Sequence, residues 1–165
     1  MQIVAFQVFN FRSIVSSEKI HIIIYAVLVG PNNEGKSNIL DALAISLGIL
    51  SNEDPFFYRR GKHLQSARSH RFRPSRDSPV SNNSRKTKFR LEFELTPDEK
   101  AKFKRSTKTK LETRLIVEIS IDPSDEVPEI VFKKQGVGER LNTFSDEISS
   151  FIKDRLQLQY IPALR

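Results

Sequence analysis

Apolar residues at strand and helix spacing organise the first third of the chain. Residues 2–9 and 20–29 are rich in Val, Ile, Phe and Tyr, which favours two β-strands. Residues 36–50 place apolar side chains at helical spacing, so a helix follows the second strand after a short loop. The predicted order of elements is strand, strand, loop and helix.

The second half of the chain has the pattern of an antiparallel β-meander, over about residues 87–134. Residues 88–95 alternate strictly between apolar and charged positions, which predicts a half-exposed strand. Thr96 and Glu99 are spaced as a capping box, with Pro97 at the first position of a short basic helix. The remaining predicted elements are strands at 114–121, 129–133 and 158–161 and a helix at about 144–157.

A strongly basic stretch separates these two parts. Residues 58–86 consist largely of Arg, Ser, Asn and Pro without periodicity, which predicts a long exposed loop. Residues 59–110 hold 17 of the 27 basic residues and 5 of the 20 acidic ones, so this stretch carries +12 and the rest −5. The net charge of +7 favours anionic partners such as phosphates and nucleic acid.

Length and composition exclude several classes of protein. A chain of 165 residues with 38% hydrophobic residues corresponds to one domain or part of one. The absence of Cys excludes disulfide scaffolds, thiolate zinc sites and cysteine nucleophiles. The longest apolar run is too short to span a bilayer and the N-terminus lacks a secretory pattern, so we expect a soluble cytoplasmic protein without membrane contact.

One motif carries recognisable chemistry. It fits G-x-x-x-x-G-K-[ST] without a mismatch and consists of Gly30, Pro31, Asn32, Asn33, Glu34, Gly35, Lys36 and Ser37. The two glycines let backbone amides turn inward around a phosphate. Lys36 supplies a positive charge for the β and γ oxygens, and Ser37 supplies a hydroxyl for Mg²⁺. Because the motif follows an apolar run and opens a helix, we predict a site for ATP with Mg²⁺ rather than a turn that binds nothing.

Three segments together resemble a known group of ATPases. They are residues 10–14 (NFRSI), residues 27–43 (VLVGPNNEGKSNILDAL) and residues 160–165 (YIPALR). The first two resemble the N-terminal lobe of the RecF- and SMC-like branch of ABC ATPases, and the third is similar to the overcoming-lysogenization-defect (OLD) family. The resemblance implies an α/β P-loop NTPase fold, an ABC-type ATPase head whose N-terminal lobe contains an antiparallel β-meander. Members of this group dimerise around two ATP molecules and gate DNA binding or an attached nuclease domain.

The resemblance also implies roles for individual residues. Arg12 is expected beside the phosphates, Lys36 is expected to hold them and to act in catalysis, and Ser37 is expected to bind Mg²⁺. The complete predicted nucleotide site consists of Arg12, Gly30, Pro31, Asn32, Asn33, Glu34, Gly35, Lys36, Ser37 and Asn38. For Arg12 the alternative is an arginine solvated at the end of a strand.

The second half of such an ATPase head has no counterpart in these residues. A signature loop rich in Ser and Gly, an apolar strand ending in Asp-Glu and a switch histidine are all missing from the sequence. Residues 116–122 superficially resemble that strand, but Glu118 and Ser120 do not suit a buried central strand, so Asp122 is predicted to cap a turn. We therefore expect this segment alone to bind ATP without turnover, and ATP hydrolysis to belong to the complete protein.

Other candidate sites carry weaker signals. The basic residues Arg59, Arg60, Lys62, Arg68, Arg71, Arg73 and Arg76, with Phe72 among them, could follow a nucleic-acid backbone or form a solvated loop. His63 and His70 have no neighbouring ligands at metal-site spacing, which argues against a metal site. Residues 56–58 (FFY) favour core packing over a stacking platform.

We interpret the sequence as the ATP-binding lobe of an OLD/RecF/SMC-like ATPase in DNA repair or anti-phage defence. Its expected partners are ATP, DNA, a second copy of the chain through the ATPase heads, and a nuclease or effector. The alternative is a nucleotide-gated homo-oligomeric scaffold that holds a separate effector and hydrolyses little ATP. A small P-loop kinase is a weaker third interpretation, because the substrate lid and acceptor base of a kinase are not found.

Overall fold

One antiparallel sheet is built from six strands in the residues that the structure, a computed structural model, describes. These residues are 1–23, 26–30, 35–51, 72–78, 86–111, 113–124, 128–134 and 139–156. The strands are β1 (Gln2–Phe11), β2 (Ile14–Ser16), β3 (Ile20–His21), β4 (Thr87–Glu94), β5 (Leu115–Ile121) and β6 (Pro128–Lys134). The helices are α1 (Lys36–Leu50), α2 (Pro74–Asp77), α3 (Pro97–Thr107) and α4 (Ser145–Lys153), and a 3₁₀ helix (Glu139–Phe144) precedes α4.

The order of the strands across the sheet is β2-β1-β4-β5-β6, and β3 also pairs with β1. Two short strands share one edge of β1: β3 pairs with its N-terminal half and β2 pairs with its C-terminal half. Strand β4 pairs with β1 along the other edge. The predicted meander is confirmed, because β4, β5 and β6 are consecutive antiparallel neighbours.

The core lies on one face of this sheet. Alternate residues of β4 (Phe89, Leu91 and Phe93) are fully buried there, as their spacing predicts. The helices contribute Ile45 from α1 and Phe103 from α3 to the same cluster. The Thr96–Glu99 capping box is confirmed, with both of its hydrogen bonds and Pro97 at the start of α3.

The opposite face of the sheet carries an ion-pair network centred on Glu92. This side chain is 4% exposed, and its carboxylate accepts hydrogen bonds from Lys19 Nζ at 2.6 Å and from Arg114 Nη1 at 3.2 Å. Burial would raise the pKa of Glu92, but the hydrogen bonds from Lys19 and Arg114 hold it below its ordinary value. Arg90 and Lys133 pair with Glu118 on the same face. The alternating pattern predicts charges on this face, but it does not predict a buried carboxylate.

Several predicted boundaries are wrong. Of the described residues in the strand predicted at 20–29, only Ile20–His21 form a strand, and residues 26–30 form no ladder. Ile22 packs against the core, but Val27 and Val29 are 72% and 89% exposed and lie outside it. The predicted C-terminal helix ends at Lys153. The sequence pattern also missed β2.

The predicted exposed loop at 58–86 contains a buried anchor. Within it, α2 forms a short helical turn, and both Phe72, which precedes the turn, and Asp77, its last residue, are buried. The predicted FFY packing at 56–58 and the predicted strand at 158–161 lie outside the described residues.

Candidate functional site

The N-terminus of α1 provides an uncapped helix end next to a glycine turn. Gly35 is the N-cap with φ +86°, a left-handed conformation that favours glycine, and no side chain caps the helix. The first turn contains no acidic residue. The backbone amides and the positive end of the helix dipole are therefore available to an anion.

Lys36 and Ser37 are the first two residues of α1. The Lys36 ammonium reaches back across the loop and donates a hydrogen bond to the carbonyl oxygen of Gly30 at 2.6 Å. This contact holds a positive charge between the two ends of the glycine loop. Ser37 is exposed, and its hydroxyl makes no hydrogen bond with any residue in the described ranges. Both side chains are placed so that a phosphate and its cation could engage them.

Arg12 packs against the same end of α1. Its Nη1 donates to Asn38 Oδ1 at 2.9 Å and to Asp41 Oδ2 at 2.6 Å. The neighbouring Ser13 Oγ accepts a hydrogen bond from Asn38 Nδ2 at 3.0 Å. The turn between β1 and β2 thus clamps the first turns of the helix. Arg12 is 16% exposed and doubly ion-paired, so the alternative of a solvated arginine is wrong.

Asp77 links this cluster to the basic middle of the chain. Its fully buried carboxylate accepts from Arg12 Nε at 2.8 Å, from Arg76 Nε at 2.8 Å and from the backbone amide of Arg73 at 2.7 Å. The backbone amide of Arg12 also donates to the Asp77 carbonyl at 2.9 Å. Burial would lower the pKa of Arg12, but its hydrogen bonds to Asp77 and Asp41 raise it above the ordinary value. Arg12 therefore remains a fixed cation at this junction.

Sequence reasoning missed Asp41 and Asp77. A signal for each was present. Asp77 is the only acidic residue between positions 59 and 86, and Asp41 interrupts an apolar helical run. An isolated carboxylate in such surroundings indicates a specific cationic partner.

Six of the ten predicted site residues lie within the described part of the chain. Gly30, Gly35, Lys36, Ser37, Asn38 and Arg12 come together at the N-terminus of α1. Positions Pro31, Asn32, Asn33 and Glu34 lie outside the described residues. The chemistry of the described part fits a nucleotide with Mg²⁺, because a glycine turn, an uncapped helix end, an ammonium and an exposed hydroxyl follow one another in the required order.

The basic segment is described only in part. Arg59, Arg60, Lys62, Arg68 and Arg71 lie outside the described residues, as do His63 and His70. Arg76 pairs with Asp77, whereas Arg73 is exposed. Phe72 is 9% exposed and belongs to the core, so it is not available to stack on a base.

Asp122 behaves as its turn context predicts. Its Oδ1 accepts from the amide of Ser124 at 2.9 Å and from its hydroxyl at 2.6 Å, and these hydrogen bonds lower the pKa of Asp122. Within the described ranges, no group of three or more His, Cys, Asp or Glu residues could hold a metal ion. The helices among the described residues are all too short or too polar to cross a membrane.

Comparison with known proteins points to a family of ATPases. The family model described as "AAA ATPase domain" matches residues 1–161. No curated protein matches the chain. The family match spans the glycine loop, the Arg12 cluster and the whole sheet.

Proposed function

Because the chain belongs to the family of AAA ATPase domains, we propose that it binds ATP with Mg²⁺ through residues 30–38. The observation that carries this proposal is the contact of Lys36 Nζ with the Gly30 carbonyl at 2.6 Å, at the uncapped N-terminus of α1. That contact keeps an ammonium inside the loop, where it can exchange a carbonyl for a phosphate oxygen. Nucleotide binding is the function typical of the family.

The residues of the site have distinct proposed roles. Lys36 neutralises β- and γ-phosphate charge, while the amides that follow Gly35 donate to phosphate oxygens. Ser37 offers its hydroxyl to Mg²⁺, and the cation neutralises negative charge on the phosphates. Arg12 positions Asn38 through a 2.9 Å hydrogen bond, while its own charge is paired with Asp41 and Asp77.

We further propose that this lobe belongs to an ABC-type ATPase head of the OLD/RecF/SMC-like group and gates DNA binding or cleavage. The supporting observation is the chain of contacts from Asn38 through Arg12 to Asp77, which joins the nucleotide loop to the basic segment. A nucleotide that displaces Arg12 or Asn38 would also act on the segment held by Asp77. The alternative role is a scaffold whose copies are locked together by ATP.

Isothermal titration tests the nucleotide site. Lys36→Ala should weaken Mg·ATP binding by about 10- to 100-fold, because one charge-assisted hydrogen bond contributes about 1.5–3 kcal/mol. Lys88→Ala is the matched control, since Lys88 is exposed on the outer face of β4 and its side chain forms no ion pair or hydrogen bond with a described residue. Equal affinity of the wild type and the Lys36 variant, both folded, would refute the assignment.

Two further measurements separate the proposed roles. Sedimentation with and without Mg·ATP reports nucleotide-dependent association, and a labelled DNA duplex reports DNA binding. DNA binding that changes with ATP supports the gating role. Association with ATP in the absence of any DNA binding supports the scaffold and contradicts the gating role.

A further inference from the structure

Helix α3 concentrates cations that have no partner in the described part of the chain. Lys102, Lys104, Arg105 and the C-cap residue Lys108 are all exposed. None of the four forms an ion pair or a side-chain hydrogen bond with a described residue. The opposite side of the helix, with Phe103 and Thr107, is buried, so the cations cover the solvent-facing half.

Several other cations among the described residues are ion-paired. On the outer face of the sheet, Lys19 and Arg114 pair with Glu92, and Lys133 pairs with Glu118. At the nucleotide loop, Arg12 pairs with Asp41 and Asp77. The positive potential of these regions is locally cancelled. The four cations of α3 are not cancelled by such pairs, and they lie within seven residues of one another.

Two carboxylates share a groove with two of these cations. It has a volume of about 480 Å³ between α3 and α4, and Glu147 and Asp154 on the α4 side face Lys102 and Arg105 on α3 across it. None of these four groups approaches another within ion-pair distance. Lys104 and Lys108 do not line the groove, so they face solvent away from these acids.

The cluster is unfavourable for the helix by itself. Lys104 and Lys108 are four residues apart and Lys102 and Arg105 three apart, spacings at which like charges repel. The helix dipole favours cations in the last turn, which accounts for Lys104 and Arg105. It does not account for Lys102, which lies in the middle of α3.

Lys108 provides an independent indication. It adopts φ +51° and ψ +18° as the C-cap of α3, a left-handed conformation that glycine adopts without strain. A lysine at this position strains the backbone and adds a charge to an already basic surface.

We propose that the exposed face of α3 binds the phosphate backbone of nucleic acid without reading its sequence. From Ala101 to Lys108 the exposed side chains are Lys, Arg, Ser and Ala, with no aromatic or large apolar residue to anchor a protein partner or enter a membrane. The exposed Asp98 lies in the first turn of the helix, before this basic stretch. The distance from Lys102 to Lys108 is about 9 Å at 1.5 Å per residue, a length of duplex that carries about five phosphates. Charge density and chemistry therefore match a nucleic-acid backbone.

This inference rests on the proposed function for the choice of DNA as partner, and it adds the location of the contact. Fluorescence anisotropy of a labelled 20-base-pair duplex, measured across NaCl concentrations, gives the salt slope of binding. The variant Lys102→Gln, Lys104→Gln, Arg105→Gln, Lys108→Gln should flatten the slope by about 3 to 4 units, at about 0.9 for each phosphate that is no longer neutralised. Gln preserves helix propensity.

A control variant of equal charge replaces Lys86, Lys88, Lys133 and Lys153, which are exposed elsewhere, with Gln. It should leave the slope within about 1 unit of the wild type. Equal flattening in both variants, or none in the α3 variant, overturns the location on α3. Failure of the wild type to bind the duplex overturns both this inference and the DNA-gating role. Failure of the wild type to bind Mg·ATP, by contrast, would refute the nucleotide assignment and gating by ATP but would leave the contact on α3 standing.

A single substitution tests the same surface in case the fourfold variant does not fold. Lys108→Gly removes one charge and relieves the left-handed strain, so it should raise the melting temperature while flattening the slope by about 0.9. If the variant is more stable but its salt slope of DNA binding is unchanged, Lys108 does not contact the DNA, which contradicts its proposed role.

Discussion

Arg12 shows how one side chain can organise a site at the scale of a single residue. It adopts φ +50°, an unfavourable conformation for a residue with a side chain. The strain is offset by contacts to Asn38, Asp41 and Asp77. The planar guanidinium is needed because its Nε donates to Asp77 while its Nη1 donates to Asn38 and Asp41.

The Arg12–Asp77 pair yields a prediction about stability. Asp77→Asn removes the charge from a fully buried acceptor and should lower the free energy of unfolding by about 2–3 kcal/mol. Arg12→Lys should have a similar effect, because an ammonium cannot bridge the same acceptors. In urea unfolding, the double variant should lose less free energy of unfolding than the two single variants lose in sum. Additivity within about 0.5 kcal/mol would show that the two residues act independently.

Glu92 yields a prediction about pH. Its folded pKa is depressed, so its stabilising contribution is present above the unfolded pKa, near the ordinary 4.5, and is lost as the pH falls through the folded value. Glu92→Gln should therefore destabilise the protein by about 1–2 kcal/mol at pH 7, and the difference should shrink below pH 4.5. Urea titrations of both proteins at about pH 7 and about pH 3.5 provide the measurement. A difference that stays constant with pH would exclude the ion pairs as its origin.

Helix α1 contains two glycines with opposite roles at the scale of the element. Gly35→Ala would force a side chain into φ +86°, although the added Cβ would meet only Ile14 Cγ1 at an ordinary 3.8 Å and Ser13 Oγ at 4.0 Å. The effect is therefore conformational, and we expect a loss of about 1–2 kcal/mol together with weaker ATP binding. Gly48 lies inside the helix with no atom within 4 Å of an added Cβ. Gly48→Ala should stabilise the protein by about 0.5–1 kcal/mol without changing ATP affinity.

Thermal melts and titrations of the two variants test this contrast directly. Because both substitutions add the same methyl group to the same helix, they control for each other. Stabilisation by Gly35→Ala would mean that the loop does not need the left-handed turn.

Local signals explain which elements are predictable from sequence. The capping box of α3 involves residues three positions apart, and the alternation in β4 reflects burial on one face, so both follow directly from the pattern. The run at 20–29 predicts one long strand because apolar composition does not reveal where a ladder partner ends. Asp77 and Arg12 are 65 positions apart, and no periodic pattern connects them. The glycine loop is identifiable because its chemistry is encoded in consecutive residues.

At the scale of the whole molecule, the nucleotide loop and the basic face of α3 lie on different elements joined by one sheet. Strand β1 contacts α1 through its C-terminal turn and pairs with β4, and β4 leads directly into α3. We propose that a shift of the Arg12 turn reaches α3 through these packed, hydrogen-bonded strands. This connection gives the gating proposal a physical route from phosphate to nucleic acid.

The requirements of phosphoryl transfer lead to a prediction about turnover by residues 1–165. Phosphoryl transfer to water needs a positioned nucleophile and a completed metal site. The described residues offer the Ser37 hydroxyl but no cluster of carboxylates or histidines that could hold a metal ion. The sequence also lacks an apolar strand that ends in Asp-Glu.

Purified residues 1–165 should therefore bind Mg·ATP and release phosphate at the background rate. A phosphate-release assay with saturating Mg·ATP, run beside the Lys36→Ala variant, measures the difference. The two rates should agree, because Lys36 can stabilise transferred charge only when a nucleophile is also in place. Turnover that depends on Lys36 would mean that residues within this chain complete the metal site and position the water.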